Sequence, residues 1–304
     1  MIKKISDLSM TEIDSFLGSQ GISFFAGAFK VNLKSSVPAV SQGIKLLYAN
    51  SILHEESFSD FHIEIKPSSG LRRWFRPRVH FSLNENEPFF PMPYSQAVPL
   101  LEWGLNWCVT NHCHQYLVIH AAVVEKNGKT IILPGTPGSG KSTLCAALVN
   151  SDGWRLLSDE LAIYDLKNNY IIPNPRPVSL KNQSIDIIKR AFPNSKFSPT
   201  IHDTIKGSVA HMQPSASSID EMNNYCRPSH VIFPKYKQNS KEELVELSKG
   251  DAFIQLAEHS FNYQILCEQG FESISMILDQ SVCFKYNYDG DLNVAIQQMN
   301  QLVS

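Results

Sequence analysis

Apolar positions fall into two regimes along the chain. In the first hundred or so residues they alternate with polar ones or cluster with β-branched side chains, which predicts strands over 24–33, 44–48, 61–66 and 74–83. One short helix precedes them over 11–17, with Ser9 as its cap and Gly18 and Gly21 to end it. Pro88, Pro91, Pro93 and Pro99 then crowd a short stretch. Each proline removes a backbone N–H, so this density suits neither a helix interior nor a central strand and predicts a linker. A helix over 100–111 follows, carrying Trp103, Leu105 and Trp107. The expectation is a smaller β-rich region, 1–95, ahead of a larger domain, 96–304.

From residue 116 onward strands and helices alternate, the pattern of an α/β domain with a mixed sheet. Residues 116–124 read as one buried strand and 129–134 as its return, joined by a hairpin at Asn127-Gly128, where both residues accept positive φ. A glycine-rich loop, a helix over 142–149, a turn at Asp152-Gly153 and a strand over 154–157 come next. The signal then weakens. Short strands near Val209, over 231–233 and over 282–286, with helices over 252–258, 271–279 and 292–302, complete the expectation.

The loop carries the chemistry. Gly135, Thr136, Pro137, Gly138, Ser139, Gly140, Lys141 and Ser142 match G-x-x-x-x-G-K-[ST]. Glycines let backbone amides turn inward around phosphate oxygens, and the helix that follows adds its positive dipole end. Lys141 supplies a compact charge for the β- and γ-phosphates, and Ser142 a hydroxyl for Mg²⁺. With Thr143, these residues are the expected ATP ligands. The interval from Lys141 to Asp159 has room for one helix, one turn and one strand. Asp159 and Glu160 therefore end the strand after the phosphate-binding helix, on the side where open sheets bind ligands. A carboxylate there can hold Mg²⁺ or take a proton from an attacking hydroxyl, and a turn or capping aspartate is the plain alternative. No N-K-x-D signature follows, which argues against a GTPase. His120 stands alone in an apolar strand, where a hydrogen-bonded core histidine is the ordinary reading. Its strand leads through the hairpin to the phosphate loop, which brings it within reach of Asp159 as an orienting partner.

Together these residues resemble the HPr kinase/phosphorylase group, whose catalytic domain also resembles phosphoenolpyruvate carboxykinases. The shared order is a strand histidine (His120), a hairpin, the phosphate loop, a helix, and an acidic pair (Asp159-Glu160) ending the next strand. The runs Asp159-Glu160-Leu161-Ala162, Pro175-Arg176-Pro177-Val178-Ser179-Leu180-Lys181-Asn182 and Ala257-Glu258-His259-Ser260-Phe261-Asn262-Tyr263 are similar to a branch called HPr-kinase-related kinase A. The resemblance implies an HPr kinase-like P-loop fold, Asp159 as general base, His120 as its partner, and Ser142, Asp159 and Glu160 around Mg²⁺. HPr kinase carries E-I-R-G-L-G after the acidic pair. Here Arg176 to Lys181 stand in its approximate place, so neither the acceptor nor a reverse phosphorylase activity carries over. Arg176 and Lys181 are candidates for neutralising phosphate, or ordinary solvated cations.

Composition narrows the partners. The 304 residues are 43% hydrophobic, which excludes a disordered chain, and 27 basic against 29 acidic side chains leave no bulk charge for nucleic acid. No apolar run reaches the roughly 18 residues of a membrane helix. Lys3 and Lys4 are followed by no apolar stretch of a secretory signal, and six scattered cysteines form no disulfide framework, so the expected location is cytoplasmic. Cys108 and His112 share a helical face as an alternative zinc pair, without a second pair at finger spacing. Leu71-Arg72-Arg73-Trp74-Phe75-Arg76-Pro77-Arg78 is the strongest basic patch, read as an acidic-ligand surface or a charged edge strand. Gly207-Ser208-Val209-Ala210-His211-Met212 is a candidate substrate-side strand. The expected function is an ATP-dependent kinase acting on a hydroxyl of a small protein, peptide or amino-acid-like acceptor, with a homo-oligomer compatible. The alternative is a nucleotide-binding partner subunit of a peptide- or protein-modification system that transfers no phosphate.

Overall fold

A computed structural model describes residues 3–54, 58–70 and 75–304. The chain is mixed α/β, with strands arranged in four sheets among the described residues. Helix α1 (Met10–Gly18) starts at Ser9, whose hydroxyl accepts from the Glu12 N–H while the Glu12 carboxylate accepts from the Ser9 N–H. The stretch expected as one strand over 24–33 is a hairpin, β1 (Ile22–Ala26) and β2 (Phe29–Ser35), turned at Gly27. Strands β3 (Phe61–Pro67), β4 (Arg78–Leu83) and β5 (Met92–Pro93) complete a five-stranded sheet. Of the strand expected over 74–83, residue 74 lies outside the described residues.

The strand expected over 44–48 is wrong. It is mostly the end of helix α2 (Pro38–Leu47). Pro38 occupies the first turn, where a missing N–H costs nothing, and Val40, Ile44 and Leu47 recur at helical spacing and are all buried. That period outweighs β-branched content. The proline-rich stretch contains β5 and passes into α3 (Ala97–His112), with Pro99 tolerated in its first turn. Leu100, Leu101 and Leu105 of α3 pack with Val79 and Phe81 of β4 in a core that also takes in Val118, Leu161 and Ile163.

The apolar run over 116–124 is broken at His120. Its first part, β6 (Tyr116–Ile119), joins a small sheet with β10 (Ala162–Asp165) and β11 (Ile171–Ile172). Its second part, β7 (Ala121–Lys126), pairs with β8 (Lys129–Pro134) through the expected Asn127-Gly128 turn. The break has a local cause: the His120 N–H donates to the His259 carbonyl, 2.7 Å away. Helix α4 (Lys141–Val149) and strand β9 (Arg155–Ser158) follow β8. A second small sheet, β12 (Val178–Lys181), β14 (Gly207–Met212) and β13 (Ile201–Thr204), lies in the stretch where the sequence signal was weak, as do α5 (Gln183–Ala191) and α6 (Ala216–Asp220). The chain continues through β15 (Pro228–Tyr236), β16 (Glu243–Glu246), α7 (Lys249–Glu258), α8 (Tyr263–Leu266), α9 (Glu268–Asp279), β17 (Val282–Tyr288) and α10 (Leu292–Leu302).

The main sheet has the order β16-β17-β15-β8-β7-β9. Strands β8, β15 and β17 are parallel, and β7 is antiparallel to both β8 and β9. Two reversals make β9 run with β8. The carboxyl ends of β8, β9, β15 and β17 and the start of β7 thus share one edge. Side chains alternate across this sheet. Ala122, Val124, Ile131 and Leu133 pack with α4 and α10, whereas Ala121, Val123 and Ile132 pack with α7 and α9. No helix among the described residues is long and apolar enough to cross a membrane.

Gly104 is where α3 closes on the first sheet, since a Cβ there would overlap the Phe81 ring. Gly104→Ala should cost about 1–3 kcal/mol of stability despite its better helix propensity. Chemical denaturation of the two proteins checks this, and an unchanged midpoint would show that the helix can move away without penalty.

Candidate functional site

The phosphate loop connects β8 to α4 at the shared sheet edge. Gly138 and Gly140 adopt φ of 88° and 86°, a region that side chains avoid. At Gly140 space is limiting as well, because a Cβ would overlap the Tyr288 hydroxyl. That hydroxyl donates to the Gly140 carbonyl at 2.9 Å, and the Tyr236 N–H donates to the Ser139 carbonyl at 2.9 Å. The ends of β15 and β17 therefore hold the loop from outside. Thr136, Pro137 and Gly138 are exposed, whereas Lys141 is only 6% exposed and its ammonium has no hydrogen-bond partner. Ser142 and Thr143 are half-buried on the first turn of α4.

Strand β9 delivers the acid pair to the same edge. Asp159 Oδ2 accepts from the Ser179 N–H at 2.8 Å, while its Oδ1 is buried without a partner. Glu160 is held on both oxygens, by Lys181 Nζ at 3.4 Å and by the Asn106 amide. Burial raises Asp159 above the usual carboxylate range, against the pull of Lys141. Burial alone would raise Glu160 too, but Lys181, Lys206 and Lys141 bring it down to about 2. Burial lowers the Lys141 ammonium, and Asp159 and Glu160 oppose that. Neighbouring carboxylates are thus driven apart in acidity.

No family model matches this chain, and no curated protein does. The site is read from its own geometry.

His120 sits at the start of β7, where Ala121 pairs with Pro134 just before the loop. Its ring packs tilted on Phe261, centroids 5.7 Å apart. Burial and then Lys141 lower it from 6.5 to about 4, and the carboxylate that opposes them is Glu160. The expected bond to Asp159 is not formed; Oδ2 takes the Ser179 amide instead. Residues 259–262 lie along β6, with Phe261 N–H donating to Val118 and the fully buried Asn262 side chain bridging Val118 and Tyr116. His211, on β14, is 1% exposed and lines a small polar cavity with Asp159, Ser179 and Arg176.

Arg176 departs from the expectation of a free phosphate-binding cation. It is 7% exposed, and its guanidinium donates to Glu102 and Asn106. Burial opposes its charge, but Tyr48 and Glu102 more than offset this. Glu102, Asn106, Asn174 and the Ser179 amide were missed from sequence. A lone acid inside apolar α3 was the available signal, since a buried carboxylate requires a partner. Cys108 and Cys113 belong to the first core, where burial pushes both thiols up to about 12. Among the described residues no group of three metal-ligating side chains assembles, and the Cys108–His112 pair gains no further ligand. Residues 71–74 of the basic patch lie outside the described residues; Arg78 donates to the Pro91 carbonyl at 2.8 Å.

The lowered His120 has a consequence for stability. Between 6.5 and about 4 the unfolded chain binds a proton there that the folded chain refuses, so stability is lost as pH falls through that window. Glu160, near 2, stays ionised throughout it. The melting temperature should therefore drop from pH 7 to pH 5, and drop less in His120→Gln. Calorimetry at both pH values measures the difference, and equal drops would assign the loss to other groups.

Proposed function

We propose that this chain is an ATP-dependent phosphotransferase of the HPr-kinase-related kinase A type, acting on a hydroxyl of a small protein, peptide or amino-acid-like acceptor. One observation carries the reading. A buried ammonium without a partner at a glycine loop and a buried carboxylate oxygen without a partner stand at the same sheet edge. A buried polar atom left without a hydrogen bond is costly, and triphosphate with its metal would satisfy both. The loop suits phosphate for a second reason, since Gly138 and Gly140 take positive φ, which lets backbone amides turn inward. Mg²⁺, held by the Ser142 hydroxyl and Glu160, would offset phosphate charge and orient the terminal phosphoryl group.

The chain's own groups divide the remaining work. Lys141 binds and neutralises phosphate, and the first amides of α4 add the helix dipole. Asp159, made more basic by burial, takes the proton from the acceptor hydroxyl as its oxygen bonds to the γ-phosphorus and the bond to the β-phosphate oxygen breaks. Glu160, the stronger acid, remains charged for the metal. His120 stays neutral beside Lys141 and adds no repulsion to the cation there. Lys181, expected from sequence to neutralise phosphate together with Arg176, flanks Glu160 with Lys206, and the two supply that charge.

Single-turnover assays with γ-labelled ATP and a cell extract test the reading directly, since label must appear on an acceptor. Label that stays on ATP while ATP binds tightly would favour a non-transferring nucleotide-binding subunit. Lys141→Ala should weaken ATP binding by roughly 1.5–3 kcal/mol, the range for a charge-assisted hydrogen bond. Unchanged affinity by calorimetry would move the nucleotide away from this loop. Asp159→Asn keeps the shape but cannot accept the proton, and should slow transfer by about 10²–10⁴ with ATP still bound. Wild-type turnover in that variant would remove Asp159 as the base.

A further inference from the structure

Glu102 is an acid in the apolar part of α3, 4% exposed. The Tyr48 hydroxyl of the α2 C-terminus donates to its Oε1 at 2.8 Å, and Arg176 Nη2 donates to its Oε2 at 2.7 Å and to its carbonyl at 3.1 Å. The other arm of Arg176, Nη1, donates to Asn106 Oδ1 at 2.6 Å. Asn106 lies one turn beyond Glu102 on the same helix, so both face Arg176. Its Nδ2 then donates to Glu160 Oε2.

The chemistry fixes the direction of this chain. Arginine only donates and an ionised carboxylate only accepts. A group between them must accept on one side and donate on the other, which a carboxamide does and neither leucine nor aspartate can do. A second strut runs nearby: the Ala28 N–H of the β1–β2 turn donates to Asn174 Oδ1 at 3.2 Å, and the Asn174 N–H donates to the Leu157 carbonyl of β9 at 2.6 Å. Tyr48 of α2 and Ala28 of the β1–β2 turn are thus tied by hydrogen bonds to α3 and to the end of β9 that leads into the acid pair.

We propose that Glu102, Arg176 and Asn106 are positioning residues through which helix α3 holds Glu160 for a divalent metal. The inference rests on the nucleotide reading of the site above. Residues that orient a metal ligand typically change metal affinity by about 10–100-fold when removed. Their loss should therefore be read in the Mg²⁺ dependence of ATP binding rather than in binding as a whole.

Calorimetric titration of ATP at a series of Mg²⁺ concentrations, and in chelator, separates the outcomes. Asn106→Leu should raise the Mg²⁺ concentration for half-maximal ATP binding by about 10-fold or more. Affinity in chelator should stay within about 2-fold, because Lys141 and the loop amides are untouched. Removing Arg176 alone strands Glu102, so the paired variant Glu102→Gln/Arg176→Met is used instead. It should show a similar shift, and adding Asn106→Leu should give no further shift, since all three act through one contact. Wild-type Mg²⁺ dependence in folded Asn106→Leu would overturn the positioning role while leaving the nucleotide site standing. So would an equal loss with and without Mg²⁺, which marks packing alone. A wild-type protein that binds no ATP at any Mg²⁺ concentration would overturn both readings.

Discussion

Lys141 and Asp159 are buried, and Glu160 is half-buried beside them, where no one of the three charges would be tolerated alone. Taking one charge out of water costs several kcal/mol, and only opposite charge and hydrogen bonds at close range offset it. That requirement governs the surrounding architecture. The cation begins α4 and the anions follow β9, so the two strands must end on the same side of the sheet. The antiparallel β7 between β8 and β9 meets this condition by reversing direction twice. It also brings its own first residue, next to His120, to that edge.

The acid pair shows how the wall of a site sorts two similar groups. Asp159 accepts one backbone amide but is cut off from water with the Glu160 charge beside it, so the proton is more welcome there. Glu160 is ringed by Lys181, Lys206 and Lys141, and loses its proton far more readily. Adjacent residues thus differ in chemical character because of partners contributed by β12, the β13–β14 turn and α3. Those partners come from widely separated parts of the sequence. Arg176 belongs to the same pattern: its fork is occupied by Glu102 and Asn106, which turns a candidate for substrate binding into part of the frame.

What could be read beforehand was whatever depends on neighbours in sequence. The loop between β8 and α4, the Asn127-Gly128 turn, the cap at Ser9 and the periodic helix α10 all follow from local chemistry, and each lies where its pattern put it. Ile44 was misread because β-branched residues inside a short helix look like a strand until Pro38 and Val40 are counted into the period. The division of the run over 116–124 was invisible because both halves are equally apolar. What separates them is a hydrogen bond to His259, far along the chain. The small sheet containing β12 was faint because its strands are short, and β12 meets its partner β14 only after α5 and β13 have intervened. The glycine loop and the acid pair were legible, and their supports were not.

The hold of Tyr288 on the Gly140 carbonyl bears on the order in which the protein is built. The loop's sequence is local, yet its outer wall comes from β15 and β17, which join the sheet by parallel pairing over long separations. Such contacts form late, because a long loop must close before they return any stabilisation. On a growing chain the five-stranded N-terminal sheet and the β7–β8 hairpin can form while the phosphate loop is still without its tyrosine wall. The glycine loop acquires its final shape only after residue 288 has entered the sheet. Until then the emerging chain has the sequence of the loop without its walls.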